Sequence, residues 1–362
     1  MSNLKNLQHP TPNTQHPTPN TQQHNLNSND TQFVEGTCFG NFSLNQFLSR
    51  FLCGGPALKE CRSVSRLQLA LVDVGFADVS AQATLLYCTI QRYELAKQQI
   101  VKNAHITEEL LCVINKLLMP DRLNAGKIRT AQNWVGQSLE KATYIPPAPE
   151  SIAQRLSDWL EEVNSPNFNG IDKAISCYAG FLLLHPFMDA NGRMSRIIYE
   201  KLMNDSDKHF VHLSLYRMST EVAYYQDAVL AFNKKPQAGL DHPYWQKAHR
   251  WTIQYKQKVA EILTKTNATL ASKYALSPLN EQDKVLLTLL WTKPLVTSEI
   301  IINELGFTTN ATKNSLNKLM YLGILKSYKL RDLDKEQIFV CESIFTAWKD
   351  LDELIFSNNI TD

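Results

Sequence analysis

The stretch His185-Pro186-Phe187-Met188-Asp189-Ala190-Asn191-Gly192-Arg193-Met194-Ser195-Arg196 decides how this chain is read. Immediately before it, IDKAISCYAGFLLL (171–184) is apolar nearly all round, which marks a helix central to its domain. His185-Pro186 ends that helix, because a residue before proline is pushed away from helical angles. A short loop follows with a single carboxylate, Asp189, and Asn191-Gly192 opens a new helix through RMSRIIYEKLMND. The first turn of a helix carries unpaired N–H groups and a partial positive charge, a ready seat for phosphate. Arg193 and Arg196 are three residues apart, so both project from one side of that turn. Two fork-shaped guanidiniums suit a polyphosphate better than a single carboxylate. Asp189 is placed to hold a hard cation such as Mg2+ bridging phosphate oxygens. His185 can take a proton near neutral pH. Each feature alone has an ordinary explanation: a histidine ending a core helix, a solvated arginine pair, an Asn-Gly turn. Held together in this order, they describe a nucleotide site.

Working outward, the flanks predict helices. SIAQRLSDWLEEVN begins with Ser151 as its cap, and 219–233 and 243–270 are amphipathic. Further upstream, 83–101 and 106–119 have helical spacing, the second capped by Thr107. Between them and the signature, 121–149 is the longest irregular interior stretch, with AGKIRT, QNWVG and ATYIPPAP. Long interior loops are usually functional. Trp134 and Tyr144 flank a turn-rich segment, so a small β-hairpin is expected at about 134–147, closed by Pro146-Pro147. Beyond a linker at KYALS and Pro278, EQDKVLLTLLW, TSEIIINELG and ATKNSLNKLMYLGIL precede two strand-like runs in SYKLRDLDKEQIFVC. Three short helices and two strands, with Gly323 stopping the third helix, predict a winged helix-turn-helix.

Composition sets the boundaries. The chain has 362 residues, 37 Lys+Arg against 35 Asp+Glu, and 44% apolar residues, enough for two or three domains without global attraction to nucleic acid or acidic lipid. No apolar run approaches a bilayer span, and the polar N-terminus lacks a hydrophobic leader core. Seven scattered cysteines without a C-x-x-C pair fit a reducing, cytoplasmic compartment. HPTPNTQ occurs at 9–15 and again at 16–22, and residues 1–30 hold too few apolar groups to order themselves.

HPFMDANGRMSR resembles the signature of the Fic (filamentation induced by cAMP) family, H-x-F-x-[DE]-[GA]-N-[GK]-R-x-x-R, and meets every defined position. GKIRTAQNWVG and ATYIPPAP are similar to the segment in which that family builds a target-docking flap, and STEVAYYQDAVLAF resembles the helix after the signature. The resemblance, over about 90–340, implies a mainly α fold: a helical core with a hairpin flap, followed by a C-terminal winged helix-turn-helix. The expected division is a disordered tail at 1–30, a helical region at 31–118, the core at 119–270 and the winged helix at 275–362.

The activity implied is adenylyl transfer from ATP, with Mg2+, to a Tyr, Thr or Ser hydroxyl of a target protein, the chain itself included. His185 would be the general base and Asp189 the metal ligand. The backbone at Asn191 and Gly192 would form an anion hole, with the Asn191 side chain on the α-phosphate. Arg193 would hold the β-phosphate and Arg196 the γ-phosphate, with Tyr224 and Tyr225 at the nucleotide. Phe187 would lock the loop from the core side. Tyr144 and Ile145 would receive the target segment by backbone pairing. Thr31-Gln32-Phe33-Val34-Glu35-Gly36 matches the family's inhibitory pattern [ST]-x-x-x-E-[GN], in which Glu35 would neutralise Arg196. In some relatives that glutamate also serves removal of AMP.

DNA, through the winged helix, and a second copy of the chain stand as candidate partners. Residues 275–340 hold eight Lys/Arg against seven Asp/Glu, a weak basic footprint for a DNA binder. Two alternatives keep the fold and change the activity: a nucleotide-sensing transcriptional regulator, and a phosphotransferase. Gly192 argues against the kinase branch, in which a Lys takes that position.

Overall fold

In the computed structural model, residues 64–76, 79–166, 170–203, 222–275, 277–329 and 337–356 are described. The low-complexity tail and the Glu35 motif lie outside them. The fold is mainly helical, with two small antiparallel sheets.

Most predicted helices form where their caps place them. Helix α1 (Arg66–Asp73) starts with a reciprocal Ser65–Gln68 capping box. Helix α2 (Ala81–Lys102) is capped by Ser80, and α3 (Glu108–Leu118) by Thr107, which accepts from the Leu110 N–H. Ser151 does not cap the next helix as expected. Its hydroxyl donates back to the Ala148 carbonyl, and the chain enters α4 (Ile152–Asn164) through a 3-10 turn at Pro149–Ser151. Pro149 fixes that entry, and the serine oxygen is drawn into the turn before it can reach the helix N–H groups.

Helix α5 (Ile171–Leu184) is the central element. Ala174, Cys177, Ala179 and Phe181 on it are fully buried, so it is surrounded on all sides, as its composition implies. Helix α4 lies close against it where Gly180 leaves room: a Cβ there would stand 3.2 Å from the Trp159 ring. Trp159 seals the contact by donating its indole N–H to the Cys177 carbonyl. Helix α6 (Asn191–Leu202) returns along α5, and α2 and α3 pack on α6.

Helices α7 (Val222–Ala231), α8 (Pro236–Leu240) and the long α9 (Pro243–Tyr274) close the other side with an aromatic cluster. Tyr178 packs edge-on to Tyr199 at 5.7 Å and to Trp245 at 6.4 Å. The hairpin has strands β1 (Val135–Gly136) and β2 (Ala142–Tyr144), with Val135 opposite Tyr144 and a register shift after it.

The C-terminal unit comprises α10 (Glu281–Thr292), β3 (Leu295–Val296), α11 (Ser298–Leu305), α12 (Thr309–Tyr321), β4 (Lys326–Lys329), β5 (Gln337–Val340) and α13 (Glu342–Phe356). Its sheet has the order β3-β5-β4, one strand more than the sequence pattern predicts. β3 is only two residues long, too short to show alternation, but Leu295 and Val296 are both buried in the sheet.

This unit is not set off by a long linker. Helix α9 carries through to Tyr274, and Lys273 on it donates to the Gly323 carbonyl at 2.7 Å. Helix α1 lies over the sheet: Ala70 is buried with Leu295, Ile338 and Val340. Arg66 makes a bidentate ion pair with Asp352, and Lys293 pairs with Asp73 at 2.7 Å and Glu304 at 3.1 Å. One apolar core runs from Val64 to Leu351.

Candidate active site

The site is built where α5 stops and α6 begins. His185 takes left-handed backbone angles (φ 50, ψ 56) and closes α5 with its N–H on the Phe181 carbonyl. Such a conformation in a non-glycine residue is costly and persists only when surroundings over-determine it. Here Arg129 holds the His185 carbonyl through Nε at 2.8 Å, and the Arg129 backbone N–H holds the Pro186 carbonyl at 2.9 Å. The His185 Nδ1 faces the Leu182 carbonyl at 3.1 Å. A carbonyl only accepts, so Nδ1 carries the hydrogen and Nε2 keeps its lone pair. Burial pushes the imidazole below its usual pKa, and Arg129 adds to this, opposed by the Leu182 bond and Asp189. Burial thus favours the neutral ring, the state a base needs.

Phe187 is buried and pins the loop from inside. Asn191 is also buried, and its amide clasps the Phe187 backbone, donating to the carbonyl at 2.8 Å and accepting from the N–H at 3.1 Å. The Asn191 amide oxygen and one of its two amide hydrogens thus shape the loop, which leaves the second hydrogen for an anion at this turn. Asn133 adds a second donor to the Phe187 carbonyl at 3.0 Å. Asn115 donates to the Asp189 carbonyl at 3.0 Å while accepting from the Gly126 N–H at 2.8 Å.

Ala190, the residue before α6, is left-handed (φ 68) and supplies no side-chain cap. The first-turn N–H groups of α6 thus have no side-chain cap, as an anion seat requires. Asp189 precedes that start with its side chain 58% exposed, Oδ1 accepting from the Ala190 N–H and 3.6 Å from Arg193. Arg193 also reaches the Met119 sulfur at 2.8 Å. Arg196 lies along Gly192, its NH1 3.6 Å from where a Cβ would stand. It acts electrostatically on Tyr178 and Tyr225, whose hydroxyls meet at 2.6 Å. Tyr225 is therefore a neighbour of the signature, whereas the Tyr224 ring packs tilted against His242 at 5.2 Å and edge-on to Tyr244 at 5.8 Å.

Among the described residues no group of three or more His, Cys, Asp or Glu side chains could cage a metal. A lone exposed carboxylate beside an uncapped helix start fits a cation held mostly by phosphate oxygens.

At the hairpin, Ile145 is exposed, but Tyr144 is not available for docking by its side chain. Its hydroxyl donates to the Leu183 carbonyl at 2.8 Å and its ring packs with Ala179, Leu183 and Val229. The residues that sequence reasoning missed are Arg129, Asn133 and Asn115. Asn115 had a signal, since it lies on the buried side of α3 with Leu111 and Leu118. Arg129, next to Ile128 in a charged loop, reads as surface until the fold buries it.

Residues 105–203 match the family described as Fic/DOC. Over 86 residues the chain is 35% identical to the protein adenylyltransferase fic-1 of Caenorhabditis briggsae and 33% identical to that of Caenorhabditis elegans. Each match covers 23% of this chain and spans 16% of the relative's length. A crystallised Fic family protein from Desulfovibrio desulfuricans aligns at TM-score 0.47 and 15% identity, over 82% of this chain and 87% of that one. A helical scaffold presenting a histidine, a carboxylate and two arginines at a helix start is the class of site described above. The chain carries it in a Fic/DOC family domain.

Proposed function

We propose that this chain is a protein adenylyltransferase, which moves AMP from ATP to a Tyr, Thr or Ser hydroxyl of a protein. The observation that carries the reading is the geometry of His185, its Nδ1 on the Leu182 carbonyl and its own carbonyl held by Arg129, beside the uncapped start of α6 and its arginines. His185 Nε2 takes the proton of the target hydroxyl, and the oxygen attacks the α-phosphorus. The bond to the bridging oxygen breaks and pyrophosphate leaves. Backbone N–H groups at Asn191 and Gly192 face the α-phosphate, and Arg193 and Arg196 hold the β- and γ-phosphates. Such chemistry depends mainly on alignment and charge compensation. Asp189 would hold a Mg2+, which when bound offsets phosphate charge. The target segment pairs along the hairpin edge near Ile145, and Tyr144 anchors that hairpin to α5.

The core is read as 119–270 and the winged helix as 275–362. Three helices with a β3-β5-β4 sheet support the latter. Glu35 is read as an inhibitory residue set against Arg196, and the same glutamate would serve deadenylylation.

The direct test is His185→Ala with labelled ATP: transfer is lost while nucleotide binding persists. A general base contributes about 10²–10⁴-fold, so equal rates for variant and wild type would reject the assignment. Substituting Glu35→Gly should raise self-adenylylation strongly in the same assay.

A further inference from the structure

We propose that Arg129 is a positioning residue that ties the His185 turn and both roots of the hairpin into one unit, fixing the spacing between a docked target strand and the base. This rests on the reading of His185 as that base. Arg129 is 3% exposed, and its guanidinium reaches three carbonyls, one two residues along its own segment and the others on two further segments. Nε donates to His185, NH1 to Ala131 at 3.1 Å, and NH2 to Pro147. Ala131 leads into β1, and Pro147 follows β2. Its backbone N–H adds Pro186.

Two neighbours run along the same seam: Gln132 donates to the Pro146 carbonyl at 2.9 Å, and Asn133 donates to that of Phe187. Among the described residues no carboxylate pairs with Arg129. A buried cation without a counter-ion is costly, and carbonyls satisfy it only where the geometry suits the planar fork. An ammonium is a point donor and cannot span three segments in this way. The left-handed His185 backbone needs such restraint, because the same backbone angles that turn its carbonyl to Arg129 also set the direction of its Cα–Cβ bond.

The test compares full-length wild type with Arg129→Lys and Arg129→Gln, by hydrogen exchange and by transfer kinetics. In Arg129→Gln, backbone amides at 131–147 and 183–189 should exchange together, at least about tenfold faster, while the interior of α5 keeps its protection. With ATP and a protein acceptor, kcat should fall about 100-fold, the loss expected for an ångström-scale misplacement, while nucleotide Kd stays within about threefold. Arg129→Lys should fall between the two. If Arg129→Gln opens the whole protein, Arg129→Ala with added ethylguanidinium decides: recovery of exchange protection in both segments supports the tie, and no recovery overturns it. Wild-type exchange in either segment of a folded Arg129→Gln, or wild-type kcat in Arg129→Lys, would also overturn it. A wild type that transfers no AMP would end the functional reading alone, because the exchange result judges Arg129 without it.

Discussion

Burial sets what His185 can do. Because burial and Arg129 both disfavour the imidazolium, its pKa lies below the ordinary 6.5. The basic form is the active one, so transfer should be flat through neutral pH and fall only as pH drops below the depressed value. A kcat/KM profile measured from pH 5 to 8 checks this: an acid limb centred above 6.5 would contradict the burial argument. Asn191 shows a different residue-scale lesson. An asparagine at a helix start reads as a ligand for anions. In the fold its amide also holds the Phe187 backbone, and leaving the buried Phe187 N–H without that acceptor would cost about 1–3 kcal/mol.

At the scale of elements, α6 is the helix that must not shift, and an ionic cluster fixes its far end. Lys97 on α2 reaches Glu200 on α6 at 2.9 Å and Glu94 at 3.7 Å, with Lys97 and Glu200 both buried. Burial opposes the charge on Lys97, but the two glutamates outweigh it and raise its pKa. Breaking a buried pair strands its partner, so Lys97→Ala should destabilise the protein by about 3–5 kcal/mol in urea unfolding. A change within about 0.5 kcal/mol would mean that the cluster is hydrated and that α6 is held by apolar packing alone. The hairpin was legible as an element because Trp134 and Tyr144 bracket turn residues. Its attachment was not: Tyr144 to Leu183, and Gln226 to Thr143 at 3.3 Å, join segments far apart in sequence.

Across the whole molecule, the signature domain and the C-terminal unit share one core. Leu286, Leu287, Leu290 and Trp291 on α10 belong to the same cluster as Phe181 and Tyr255, and α1 covers the C-terminal sheet. Removing residues 275–362 should therefore lower Tm markedly and expose apolar faces of α9 and α1. Scanning calorimetry and dye binding would show it. A truncated chain that melts at the wild-type temperature without binding dye would show the two units to be independent.

Local patterns in the sequence determined most of the helices, the cap at Thr107, the hairpin, and the order of groups in the signature, since each depends on neighbours within a few residues. Tertiary structure alone decided that Arg129 is buried, that Asn115 serves the loop, and that α1 closes over the last sheet. Those outcomes rest on hydrogen bonds and packing between residues tens to hundreds of positions apart, and no local period or motif encodes which partner a buried polar group will find.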